Sequence, residues 1–249
     1  MTLKRVHRVL LFCSILILQS QLVVTAVAGG DRFNEANAAY SSSNFSSAIE
    51  MYEELLEEHG YAPGVLYNLA NSYAMTDQTG KAILNYERAL RLAPGDSDIS
   101  GNLHLVRTES GLFAMESTFS ERIIHLLSMD QWTGLGGLSL VVLSIFLLLS
   151  TRLKFSRKTT LSVCICCLLV IIIVTTTSSY LHSHWNSSVV VADSRLQVSP
   201  FEGAAGSGEI QQGRIVHTRK KHGDYLFVED ETKRKGWLPA SAIEKIIPQ

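Results

Sequence analysis

Charge imbalance is missing from this sequence: 22 lysines and arginines stand against 23 aspartates and glutamates, a formal net charge of −1 over 249 residues. A chain whose main task is holding nucleic acid concentrates positive charge, so that role is set aside. Cysteines placed to staple a soluble domain are missing too. The four present, Cys13, Cys164, Cys166 and Cys167, all lie in apolar runs, which excludes a disulfide scaffold. Nor is there a phosphate-cradling glycine loop with its lysine, an HExxH helix or a nucleophile elbow. The acidic run EELLEEH reads as the solvated face of a helix. The cysteine trio reads as small hydrophobes, and His182 and His184 have no companion ligand. The expectation is a chain with no catalytic activity, no cofactor and no metal.

Charge is also absent from two long stretches. QWTGLGGLSLVVLSIFLLLST follows Asp130, and TTLSVCICCLLVIIIVTTTSSYL runs from Thr159 to Leu181. At about 1.5 Å per helical residue, each spans a hydrocarbon core of roughly 30 Å. Transmembrane helices are expected over 131–151 and 159–181, in contact with the lipid bilayer. The loop between them, 152–158, carries Arg152, Lys154, Arg157 and Lys158 without an acid, so it is cytoplasmic by the positive-inside rule. Residues 1–28 show a basic start, an apolar run and AVA at Ala26 to Ala28, the pattern of a secretory signal cut after Ala28; an uncleaved anchor is the rival. Phe12 before Cys13 argues against lipidation. Either way residues 29–130 and 182–249 share the exported side. Trp132, Tyr180 and Trp185 sit where interfacial aromatics belong.

What the chain does have is a period. FNEANAA at Phe33, YNLANSY at Tyr67 and GNLHLVR at Gly101 are spaced 34 residues apart. Ala36 pairs with Ala70, Ala48 with Ala82, Ile49 with Ile83, Tyr52 with Tyr86 and Leu56 with Leu90. A 34-residue helix-turn-helix period is the tetratricopeptide signature. Units are expected at 29–62 and 63–96, with Pro94 closing the second. A third first helix, capped by Asp96 or Ser97, terminates the array at 110. The 111–130 segment, containing SERIIHLLSMDQW, is an amphipathic connector. Asn34, Asn68 and Asn102 share one phase of the period, Asn37 and Asn71 another. The first three are expected to bond within or between repeats. Resemblance to other tetratricopeptide arrays places Asn37 and Asn71 on the groove lined by first helices, as the partner-binding residues, where an amide offers donors and an acceptor to an extended peptide.

The tail, 186–249, reads as β: SSVVVADSRLQVS holds two short stretches around Asp193, and GRIVHTRKKHGDYLFVEDETKRKGWLPASAIEKII adds strands, a hairpin with the basic Arg219 to His222 at its tip, and a Gly-Trp step. GWLPASAIEKI resembles the late signature of bacterial SH3-like domains. Tyr225, Phe227 and Trp237 are expected in the core or half-buried. The fold class expected is therefore a multidomain membrane protein: an all-α tetratricopeptide solenoid, two transmembrane helices and a small all-β SH3-like barrel.

This order of segments resembles the BatE-type proteins of bacterial aerotolerance operons, most clearly in FNEANAAY, GKAILNYERALRLAPGDSDISGNL and GWLPASAIEKI. Ser43 departs from the pattern, where such repeats usually have glycine, as does the stretch near Pro200. The resemblance implies a scaffold in the bacterial cytoplasmic membrane, working beside von Willebrand A-type membrane proteins and a MoxR-type ATPase in envelope stress or oxygen tolerance. A cell-wall binding module that recruits an envelope enzyme is the alternative.

Overall fold

The computed structural model describes residues 30–112, 123–124, 126–153, 155–183 and 187–247. The expected signal over 1–28 with Cys13, most of the 111–130 connector, Lys154, the side chain of His182, and His184, Trp185 and Asn186 lie outside the described residues.

Five helices form the first part: α1 (Gly30–Ser41), α2 (Phe45–His59), α3 (Pro63–Ala74), α4 (Thr79–Leu92) and α5 (Ser97–Glu109). Local chemistry sets their ends. Pro63 opens α3, where its missing N–H costs nothing. Asp96 caps α5, its Oδ1 accepting from the backbone N–H of Asp98 at 2.9 Å and of Ile99 at 3.2 Å. The turns between α1 and α2 and between α3 and α4 hold Ser43 at φ 62° and Asp77 at φ 57°, one repeat apart. Both sit in the left-handed region, which explains why glycine suits this place and serine departs from the pattern. Ala36, Ala48, Ala70, Ala82 and Ala89 are fully buried and let the helices approach closely, while Tyr52, Tyr73 and Tyr86 fill the gaps.

Two further helices, α6 (Met129–Ser150) and α7 (Arg157–Ser183), start and end within two residues of the expected spans. They are long and apolar enough to cross a membrane, with mean hydropathy 2.1 and 2.5. Among the three thiols Cys166 is exposed, Cys164 half-buried and Cys167 buried. Trp132 is buried rather than at a free edge, and its indole N–H donates to the Ile124 carbonyl at 3.0 Å.

The tail forms seven antiparallel strands: β1 (Ser187–Val190), β2 (Ser194–Gln197), β3 (Gly206–Ile210), β4 (Ile215–His222), β5 (Tyr225–Asp230), β6 (Lys235–Pro239) and β7 (Ile243–Lys245), in the order β3-β2-β6-β5-β4-β1-β7. Val190, Leu196, Ile210, Val216, Val228, Leu238 and Ile243, one from each strand, pack in a single cluster. The two edge strands can share that cluster only if the sheet curls over it. Arg219 to His222 belong to the last half of β4, and the turn itself is Gly223-Asp224, with Gly223 at φ 54°.

Asp230 fixes the β5–β6 turn. Its Oδ1 accepts from Thr232 N (2.9 Å), Thr232 Oγ1 (2.8 Å) and Arg234 N (2.9 Å), and its Oδ2 from Arg234 Nε (2.8 Å). Burial works to raise the carboxyl's pKa, but the bonds from Thr232 and Arg234 and the Arg234 charge outweigh it and hold the group below its usual range. A depressed folded-state pKa adds stability above the unfolded value, near 4, and that contribution is lost as pH falls through the folded value. Asp230→Asn is therefore expected to melt lower than the native chain at pH 6. The gap should narrow as pH falls to 3, because the protonated acid and the amide then resemble each other. Melting curves of both chains across that range give the test.

Candidate functional site

The residues on the two asparagine phases meet. Asn37 Oδ1 accepts from the Tyr52 hydroxyl at 2.6 Å and from Asn68 Nδ2 at 2.9 Å. One repeat later, Asn71 Oδ1 accepts from the Tyr86 hydroxyl and from Asn102 Nδ2 at 3.0 Å, and Asn102 Nδ2 also donates to the Tyr67 hydroxyl at 2.9 Å. Phe33 lies 6.2 Å from Tyr52 between ring centroids, and Tyr67 lies 6.1 Å from Tyr86. The same small network is thus built twice, bridging α1 to α3 and α3 to α5. Asn68 and Asn102 bond between repeats, as expected for their phase. Asn34 makes no such bond among the described residues.

Burial, the largest influence, pushes the Tyr52 hydroxyl up to about 12 and raises Tyr86 as well. Both phenols stay protonated and act as donors. Each amide oxygen of Asn37 and Asn71 is consequently committed to the array. Their amide nitrogens have no hydrogen-bond partner among the described residues, and both side chains are half-buried. What Asn37 and Asn71 can offer a ligand is therefore donors, two N–H groups held in fixed orientation by a saturated oxygen.

A second surface of the array is already occupied. The sheet packs against α4 and the end of α5, within one compact unit made of residues 29–132 and 176–249. Val189 and Ile246 belong to the array's own hydrophobic core. Arg88, only 8% exposed, donates from Nε to the Ile246 carbonyl (3.1 Å) and from Nη2 to the Lys245 carbonyl (2.8 Å) and Glu244 Oε1 (2.7 Å). Arg107, 5% exposed, pairs with Glu87 on α4 at 3.4 Å and with Glu231 in the β5–β6 turn. Burial holds the Glu87 carboxyl above its usual range despite the arginine. The Gly80 N–H donates to Gln212 Oε1 at 3.1 Å, and Gln211 Nε2 donates to the Ser110 carbonyl at 2.9 Å.

Glycine makes this docking close. A Cβ on Gly80 would stand 2.7 Å from the Val190 carbonyl oxygen and 2.8 and 2.9 Å from backbone carbons of Val191. Sequence reasoning did not single out Arg88, Arg107 or Gly80. A signal existed: Arg88 replaces Glu54 and Gly80 replaces Ser46 of the preceding repeat.

On the sheet, Phe227 sits opposite Trp237 and the rings lie 5.2 Å apart; His222 is 6.4 Å from the same indole. Tyr225, Phe227 and Trp237 are all half-buried, as expected.

The tetratricopeptide repeat family model matches residues 63–96, the α3–α4 pair together with Pro94. No curated protein matches the chain. The chain therefore contains a tetratricopeptide repeat, of the kind that mediates contacts between proteins, and its helical part has the corresponding array form.

Proposed function

We propose that the chain is a non-enzymatic scaffold, anchored in the bacterial cytoplasmic membrane by α6 and α7, that holds protein partners through the first-helix groove of its array. The observation that carries this reading is the duplicated asparagine network, which leaves the donors of Asn37 and Asn71 available at repeat spacing. The curled sheet is taken as an SH3-like domain on the strength of GWLPASAIEKI. The basic 152–158 loop supports a topology with both ends of the chain on the exported side. The resemblance to BatE-type proteins supplies the partner classes: von Willebrand A-type membrane proteins and a MoxR-type ATPase system. Chemical cross-linking of native membranes, followed by identification of the adducts, tests the reading. Adducts with neither class would sink the Bat-type assignment. Protease added to spheroplasts should trim the array and the sheet, and full protection of both would overturn the topology.

Asn71 separates the array's own needs from the partner's. Asn71→Ala orphans the hydroxyl of Tyr86, a buried residue, and removes one of the two acceptors of Asn102 Nδ2, which keeps its bond to the Tyr67 hydroxyl. The expected cost is about 1–3 kcal/mol, a fall of about 2–4 °C in melting temperature per kcal/mol. Asn71→Asp keeps both acceptor roles and deletes the donors, while adding a carboxylate charge at a half-buried place that already faces two donors. It should therefore melt closer to the native chain than Asn71→Ala does, yet bind partner more weakly, by roughly two- to tenfold for one hydrogen bond. Calorimetric affinity and melts of the two variants check this, and unchanged affinity in Asn71→Asp removes Asn71 from the binding surface.

The alternative of cell-wall attachment draws on the half-exposed Tyr225, Phe227 and Trp237, beside Lys220 opposite Phe227. Cosedimentation of the detergent-solubilised chain with purified wall, lost in Trp237→Ala, would favour it.

A further inference from the structure

Next to the docked sheet lies a cleft of about 220 Å³, bounded by Tyr61, the Leu90 to Leu92 end of α4, Met129 and Asp130 at the start of α6, Leu181 near the end of α7, and Ile247 after β7. All of these belong to the same compact unit. The lining is mostly apolar, and its rim leaves Tyr61 43% and Leu92 47% exposed. Three charged groups line the cleft: Arg88, Arg91 and Asp130. Arg88 is spent on the sheet through Glu244 and two carbonyls. Arg91 makes no ion pair within 4 Å among the described residues, although its charge also acts on the buried Glu87 carboxyl one turn earlier.

We propose that this cleft is a phospholipid site, in which an acyl chain enters between Leu92, Leu181 and Ile247 and the lipid phosphate meets the Arg91 guanidinium. The proposal rests on the reading of α6 and α7 as membrane spans. On that reading Met129 and Leu181 are the points where both spans leave the hydrocarbon, so the cleft opens at headgroup depth. An apolar cavity at that depth faces lipid and not water, and the exposed Tyr61 and Leu92 at its rim stop being a cost. Arg91 supplies the charge that a phosphate needs, as basic pockets at span ends do for headgroups. The lipid would in turn tie the end of α4, and through Arg88 the docked sheet, to the membrane surface.

Photolabelling of the full chain in lipid nanodiscs tests this. The probe is a phosphatidylglycerol with a diazirine in one acyl chain, compared with a diacylglycerol bearing the same chain. The phosphatidylglycerol should label peptides containing Leu92 or Ile247, and the diacylglycerol should not. Arg91→Gln should reduce that labelling roughly fivefold, as expected for about 1 kcal/mol per basic residue at the surface. Leu92→Glu should abolish it; Leu92 is exposed, so the fold is retained. Labelling of α6 and α7 by both probes is the internal standard. Label on the spans with none in the cleft, or cleft label that ignores Arg91→Gln and Leu92→Glu, overturns the site. Equal cleft labelling by the two probes overturns phosphate recognition. Absence of label on the spans themselves overturns the membrane reading, a failure visible separately from the other two.

Discussion

Arg88→Ala is expected to lower the melting temperature of the detergent-solubilised chain by about 6–12 °C, corresponding to about 3 kcal/mol. The guanidinium is nearly buried and serves the Ile246 and Lys245 carbonyls and the Glu244 carboxylate together. Alanine leaves both carbonyls facing a void, and each charge-assisted bond of this kind is worth about 1.5–3 kcal/mol. Lysine cannot restore the set, because a single ammonium lacks the planar fork that reaches acceptors on both sides. Glu244→Gln separates charge from geometry. The Glu244 side chain is half exposed, so water screens its pairing, and the change should cost less than about 1 kcal/mol. A large effect for Glu244→Gln with a small one for Arg88→Ala would reverse this account and make the contact electrostatic.

The second large effect concerns sign as well as size. Gly80 lies in the first turn of α4, where helix propensity alone predicts that alanine stabilises by about 1 kcal/mol. The structure predicts the opposite. The added carbon would meet backbone atoms of Val190 and Val191 inside 3 Å, and backbone held in a sheet cannot rotate away as a long side chain can. Gly80→Ala should therefore destabilise, and Gly80→Val should cost about 3 kcal/mol or more, the top of the usual range for overpacking. Because Gly80 and Arg88 serve one contact, the double variant should fall short of the sum of the singles. Thermal melts of the four chains supply the cycle. A stabilised Gly80→Ala would mean that the sheet does not rest on this helix in solution.

The helical array was legible because it repeats. Alanines and tyrosines recur at a fixed spacing, and the packing of α1 to α5 reproduces that spacing residue by residue. The ends of α6 and α7 were legible because a charge-free run has sharp borders. Strands β1, β2, β4, β5 and β6 and the burial of Tyr225, Phe227 and Trp237 followed from composition and the Gly-Trp step, whereas β3 lies in the glycine-rich stretch that carries little pattern. The asparagine phases were read correctly as structural for Asn68 and Asn102. For Asn37 and Asn71 the sequence could not reveal that the amide oxygen is bound within the array while the nitrogens have no hydrogen-bond partner among the described residues. The docking of the sheet was not legible at all. Arg88 and Ile246 lie 158 residues apart, and no local rule connects an arginine on a repeat helix to two carbonyls at the far end of the chain.

That separation has a consequence for how the molecule is made. The unit that joins array and sheet is discontinuous in the chain, interrupted by residues 133–175. During synthesis, helices α1 to α5 emerge first, then the two apolar helices, and only afterwards the strands. Until residue 246 has been released, α4 presents Arg88 without its acceptors and the array lacks the Val189 and Ile246 contribution to its core. Closure of so long a loop is slow compared with helix formation. The nascent array therefore spends a waiting period with an unsealed flank, and in that interval a helper protein or a neighbouring copy of the chain has its best opportunity to bind.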